Sequence, residues 1–372
     1  MPEPKKKRRW LKRIAIVLAL IALVGIVPVA LVESQCRTPI AAQQSAQQGL
    51  RTLPLIKEAA YPRNEAWTYF TFPEWYIVYS FEDFGKFLDG KSESSFPYFQ
   101  HISGFWKSFC TINRIGAGRH EPLGEVKTMV YVIGVSYTAE LAVKAAYENT
   151  IGRLFEWIRG SQPTPEDIYA RKVAQEYAAF LYTVPWYKFP FGEKLKGLWS
   201  LSEKTPSHLR SIERKLALSA DYGFKIGYAW LIAKALDASS DPAPQDIMVI
   251  VDNLSRDSYQ KEQRIKRWRA LDSAHELIVI PRYKAFTDIV KQLGRDGEII
   301  AEIGGNDDIL MTAVLKDGAA PKVEGVRELF SQPLVSKPGF RRAGFDVKVP
   351  QMGEAVREFE KAGADVEHFY DY

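Results

Sequence analysis

A chain of 372 residues with 46% hydrophobic and 26% charged side chains has the composition of a folded globular protein, which excludes a disulfide-stapled miniprotein and a wholly disordered chain. The formal charge of +5 does not mark a nucleic-acid binder. Residues 1–13 hold seven basic side chains (Lys5, Lys6, Lys7, Arg8, Arg9, Lys12, Arg13) and one acid, Glu3, which leaves 43 basic and 44 acidic groups elsewhere, and a DNA-binding surface needs its basic face on the folded body.

Ile14 to Val32 is a run of 19 uncharged residues. As a helix it spans roughly 28 Å at about 1.5 Å per residue, the thickness of a bilayer's hydrocarbon core. Gly25 and Pro28 are tolerated in a membrane span, and Glu33 ends it. Seven basic residues precede the run and only Arg37 follows closely, so the tail 1–13 is expected in the cytoplasm and the rest outside. The segment is expected as an uncleaved anchor in the plasma (inner) membrane, with the bulk of the chain extracytoplasmic, periplasmic in a Gram-negative cell; a cleaved signal peptide has a shorter apolar core. Cys36 and Cys110 then both face an oxidising compartment, where they either pair or stay as two buried thiols; spacing does not decide between these.

Residues 33–60 contain the polar stretch Ala41 to Gly49 and read as a juxtamembrane stalk. The segment 61–236 reads as an aromatic-rich helical domain. Its first helix, 71–89, opens on the capping-box pattern Thr71-Phe-Pro-Glu74 and carries the stripe Ile77, Phe81, Phe84, Leu88. A second runs from Lys127 to Trp157; its uncharged middle, Met129 to Ala139, resembles a span, but Glu140 and Lys144 would enter hydrocarbon at about 2.5 kcal/mol or more each. That cost predicts a buried helix of a soluble bundle. A third opens on the capped start Thr164-Pro165-Glu166-Asp167 and is stopped by Pro185. A fourth follows Thr205-Pro206, with Leu209, Ile212 and Leu216 on one face, and passes Gly223 and Gly227.

A linker at 237–245 separates this domain from 246–372. There the pattern reads as a strand Ile247–Val251, a charged helix Ser255–Asp272, a strand His275–Pro281, a helix Arg282–Leu293, strands Glu298–Gly304 and Ile309–Lys316, a helix Gln351–Ala362 and a strand Asp365–Tyr370. The order βαββαβ predicts a ferredoxin-like α+β domain with one antiparallel sheet, and Phe345 to Val349 adds a further strand.

Trp67 to Phe109 holds 16 aromatic residues in 43 positions. Core packing accounts for many, but Trp75 and Tyr76 lie off the apolar stripe, so a second aromatic face is expected that would hold an apolar ligand, headgroups or a membrane partner. Glu74, Trp75, Tyr76, Tyr79, His101, Trp106, Arg114 and His120 are the candidate ligand-binding residues. The five histidines have no metal-like spacing, and there is no G-x-S-x-G elbow, phosphate loop or H-E-x-x-H. No cofactor or metal is called for. Gly304-Gly305-Asn306-Asp307-Asp308 reads as a turn that also presents carboxylates. The expected protein is a bitopic envelope protein that binds a hydrophobic ligand or membrane partner without catalysis. The alternative is a tethered hydrolase or transferase on lipid or cell-wall substrates that uses Glu74, His101 or His120.

Overall fold

A computed structural model describes residues 25–41, 56, 58, 60–117, 124–236, 245–319 and 321–372. The basic tail, most of the Ile14–Val32 run, the polar stretch from residue 42 onward, His120 and nearly all of the 237–245 linker lie outside the described residues. Residues 25–35 are helical. In chain order there follow α1 (Ala66–Phe70), α2 (Phe72–Phe87), α3 (Tyr98–Ala117), α4 (Gly124–Tyr147), which continues through a π-helical turn (Glu148–Gly152) into α5 (Arg153–Arg159), then α6 (Pro165–Leu181), α7 (Phe191–Trp199) and α8 (His208–Leu236). The C-terminal third holds β1 (Asp246–Asp252), α9 (Arg256–Lys261), β2 (Lys266–Ala270), β3 (His275–Pro281), α10 (Lys284–Asp296), β4 (Ile300–Ile303), β5 (Asp308–Lys316), β6 (Val326–Pro333), β7 (Phe340–Lys348), α11 (Met352–Lys361) and β8 (Asp365–Tyr370).

The chain forms two compact units. The described residues of the helical unit fall within Met1–Gly25, Glu74–Phe105 and Gly134–Pro242; those of the sheet unit fall within Ile26–Pro73, Trp106–Ile133 and Ala243–Tyr372. The expected division is at 61–236 and 246–372; by compactness, residues 61–73 and the described part of 106–133 go with the sheets. Side-chain hydrogen bonds explain why residues 61–72 join the sheets: Thr68 Oγ1 accepts from the Leu310 amide at 2.9 Å and donates to the Tyr370 carbonyl at 2.5 Å, and Tyr69 OH donates to Asp346 at 2.5 Å. Phe72 packs on Phe330 and Tyr370. Helical periodicity shows which face of a helix is apolar, not which partner it covers.

The stalk is corrected at both described ends. Cys36 and Cys110 form a disulfide, Asn113 donates to the Cys36 carbonyl and Arg114 to that of Thr38. Near residue 60, Glu58 pairs with Arg269 at 2.9 Å and the Tyr61 hydroxyl donates to Glu302 at 2.5 Å.

In place of one ferredoxin-like sheet, the sheet unit holds two antiparallel four-stranded sheets, ordered β2-β3-β1-β4 and β6-β7-β5-β8. Apart from the short helix α9 between β1 and β2, each is built from three strands, a helix and a fourth strand with the same pairing order, so the same strand connectivity occurs twice in succession. The predicted neighbours β4 and β5 belong to different sheets, and the Gly304-Gly305 turn joins the sheets instead of closing a hairpin. Gly304 has φ +56°, and a Cβ there would meet the Arg63 side chain at 2.8 Å, two constraints that favour glycine. The helices α10 and α11 pack together where Gly294 and Gly353 touch; a Cβ on Gly294 would lie 2.9 Å from the Gly353 Cα. Buried apolar side chains of both sheets, among them Val249, Ile278, Met311 and Val347, share one core with Phe286, Ile289, Val356 and Phe359 of the two helices.

Two local expectations also change. The charged helix 255–272 ends at Lys261, and Lys266–Ala270 is an exposed edge strand, where charges are an ordinary guard against edge pairing. The Thr71 capping box does not form: α1 runs into α2, Thr71 has helical φ and ψ, and its hydroxyl donates back to the Trp67 carbonyl at 2.8 Å. At Thr164 the expected capping box is present, with Asp167 as its partner and Pro165 in the first turn.

Candidate functional site

The richest polar constellation in the helical unit sits inside its aromatic core. Ser80 and Asp83 lie one turn apart on α2, so both face the same side and meet His101 from α3. Ser80 Oγ is 3.0 Å from His101 Nδ1 and 2.5 Å from Tyr137 OH of α4. Asp83 Oδ2 lies 3.4 Å from His101 Nε2, an ion-pair distance without hydrogen-bond geometry. Tyr76 OH donates to the His101 carbonyl at 2.8 Å, and the His101 ring stacks on Phe96. Ser80, Asp83, His101 and Tyr137 are all buried.

A serine, a histidine and an aspartate in contact invite comparison with a nucleophile, its base and an orienting acid. The local chemistry is that of a sealed network. The Ser80 hydroxyl is already shared with Tyr137, and its surroundings are rings: Tyr76 packs on Phe105 and Tyr137, and Phe81 on Tyr137 and Tyr177. A buried polar group must find partners inside the protein, and Ser80 finds its own in Tyr137 and His101. Ser80→Ala is therefore expected to lower stability by about 1–3 kcal/mol, the cost of stranding a buried partner, in a denaturant titration of the full chain. A fluorophosphonate probe is expected to leave Ser80 unlabelled; a covalent adduct at Ser80 would instead establish a nucleophile.

The other candidate residues are divided between the units. Tyr76, Tyr79 and His101 are buried, Trp75 is half-buried against Tyr79 and Tyr182, and Glu74 is exposed. Trp106 and Arg114 belong to the sheet unit: Trp106 lies beside Phe109 and Tyr131, and Arg114 holds the 36–40 segment. His120 lies outside the described residues. Of the remaining histidines, His208 is exposed, His275 pairs with Asp272 at 3.0 Å, and burial holds the His368 imidazole down to about 3.

In the sheet unit the Gly304 turn brings Asp307 and Asp308 together with Glu65, their carboxylate oxygens within 4.8 Å of one another. Lys348 Nζ lies 2.6 Å from Asp308 and 3.6 Å from Asp307, so an ammonium already supplies the positive charge a cation would bring. A surface depression lined by Lys261, Arg264, Lys291 and Arg295 is likewise neutralised, because these cations pair with Asp257, Glu262, Asp365 and Glu360.

A feature that sequence reading missed is a second buried network of ion pairs around α8. Arg214 is 1% exposed; it bonds Glu148 and Glu213 at 2.8 Å each and lies 3.5 Å from Glu93. Arg210 bonds Asp167 and Glu213 at 2.9 Å each. Farther along the same helix, Lys225 lies 2.9 Å from Glu140, and Lys144 lies 3.3 Å from Asp221. The signal available in the sequence is the spacing of Arg210, Glu213, Arg214, Asp221 and Lys225, which puts charges at three- and four-residue intervals on the face opposite Leu209, Ile212 and Leu216.

No family model, curated protein or solved structure matches this chain. The fold therefore rests on its own geometry: a helical unit and two small antiparallel sheets. Among the described residues one helix, Gly124–Arg159, is long and apolar enough to cross a membrane by length and composition.

Proposed function

We propose that this chain is a membrane-anchored envelope protein that works by binding an apolar partner, with its N-terminus in the cytoplasm, residues 14–32 in the bilayer and the rest of the sheet unit outside. The observation that carries the reading is the Cys36–Cys110 disulfide. It begins four residues beyond the apolar run, and structural disulfides persist in oxidising compartments. Placing the sheet unit outside puts the disulfide there, in agreement with the basic residues that precede the run. The binding role draws on the apolar surface of the helical unit, where Leu216, Phe224 and Trp230 are each at least 60% exposed on one helix; grouped exposed apolar side chains mark partner or membrane surfaces. The test is topology. Alkaline phosphatase fused after Tyr372 is expected to be active and a fluorescent-protein fusion at the same place dark; the reverse pattern would refute the orientation.

A further inference from the structure

The expectation that α4 is a soluble core helix rests on Glu140 and Lys144, which would each enter hydrocarbon uncompensated. The structure removes that premise. α4 and α8 are antiparallel neighbours, matched at Ser136 with Tyr228, Glu140 with Lys225, Lys144 with Asp221 and Tyr147 with Glu213. Glu140 and Lys144 of α4 are thus each answered by a charge of α8, and Lys225 also sits 5.3 Å from the ring centres of Tyr177 and Phe191. Ionisable groups within a bilayer are found in this arrangement, turned inward and paired.

The opposite face is apolar without interruption. From Leu209 to Leu231 no exposed position of α8 carries a charge, and Leu209, Ile212, Leu216, Phe224, Trp230 and Leu231 are all more than half exposed. That distance is about 33 Å along a helix, enough to run the roughly 30 Å depth of the hydrocarbon. Exposed tryptophans stand near its two ends: Trp230 on α8, and Trp157 on α5, five residues beyond Gly152, whose carbonyl accepts from Arg210. Tryptophan is enriched at both membrane interfaces. The described end of the expected anchor also meets α4: a Cβ on Gly25, within the 14–32 run, would lie 3.1 Å from Val135 Cγ1. α6, in contrast, shows Lys172 and Gln175 to solvent.

We infer that the exposed face of α8, with α4 behind it, is seated in the hydrocarbon of the same bilayer that holds residues 14–32. This rests on the proposed anchor and names lipid as the apolar partner. A second copy docking through this face is the competing occupant.

Among the described residues both cysteines are in the disulfide, so an introduced cysteine reports on its own position. Leu216→Cys, Phe224→Cys and, as a water-facing control on α7, Lys196→Cys would be placed in the full chain in membrane vesicles opened to reagent on both sides. A hydrophilic maleimide is expected to label positions 216 and 224 at least tenfold more slowly than 196, each normalised to labelling in SDS. Equal rates would overturn the inference. A photoreactive benzoylphenylalanine at 224 is expected to capture phospholipid, seen as a mass increase of one lipid; a covalent dimer would overturn it in favour of a second copy. Carbonate extraction of the unaltered chain separates the two readings: release from the membrane refutes both, whereas retention with fast labelling at 216 and 224 refutes only this one.

Discussion

Replacing Arg214 with leucine is expected to destabilise the helical unit by about 3–5 kcal/mol, the range for removing one partner of a buried ion pair. The side chain is 1% exposed, and its guanidinium faces Glu148, Glu213 and Glu93. Leucine would leave those carboxylates close together, with Arg210, bonded to Glu213, as the nearest compensation. Lysine at 214 keeps the charge but loses the fork that reaches Glu148 and Glu213 at once, so Arg214→Lys should recover only part of the loss. Adding Glu148→Gln to Arg214→Leu should recover more, because it removes a charge that has lost its partner. Chemical unfolding of the full chain in detergent, read by circular dichroism, measures all three. A loss below about 1 kcal/mol for Arg214→Leu would place the network in contact with water, where ion pairs contribute little.

What the residues disclose and what they hide divide along physical lines. Local rules work where neighbours in sequence are neighbours in space. The Thr164 cap is legible because its partner is three residues away, and the strands at 275–281, 309–316 and 365–370 are visible because both their length and their apolar content are local. The same capping pattern fails at Thr71, because a preceding turn of helix supplies the amide acceptors first. Lys266–Ala270 reads as helix because an exposed edge strand need not alternate, and Val326–Pro333 lies hidden in a Pro- and Gly-rich insertion for the same reason. The pairing of β5 with β7 and β8, which turns one expected sheet into two, is a choice among distant partners that periodicity does not encode. The Ser80, Asp83 and His101 group is half legible: His101 stands out, but its partners come from another helix and look like ordinary α2 residues. The charge pairs between α4 and α8 are invisible for that reason too. Without them in view, α4 looks too polar for a membrane.

Reducing the Cys36–Cys110 bond is expected to lower the melting temperature by roughly 10 °C, with the helical and sheet signatures retained. The bond spans a sequence separation of 74 residues, and closing a loop of that size removes about 4 kcal/mol of unfolded-chain entropy; a few degrees per kcal/mol is the usual conversion for a unit of this size. The loss should not become collapse, because the segment keeps other ties. Asn113 and Arg114 still donate to the Cys36 and Thr38 carbonyls, the Ile40 amide donates to the Arg114 carbonyl at 3.0 Å, and Lys127 reaches Glu33 at 2.5 Å. Farther along, Arg327 donates to the Ala41 carbonyl while pairing with the buried Asp346 at 2.8 Å. These contacts hold the strap in the folded state but do nothing to restrict the unfolded one, which is where the covalent link acts. A Cys36→Ser/Cys110→Ser chain should melt like the reduced protein and be insensitive to reductant. If instead the unaltered chain, taken directly from cells into an alkylating quench, has both thiols modified, the bond does not exist in its native compartment, and the placement of the sheet unit outside the membrane fails with it.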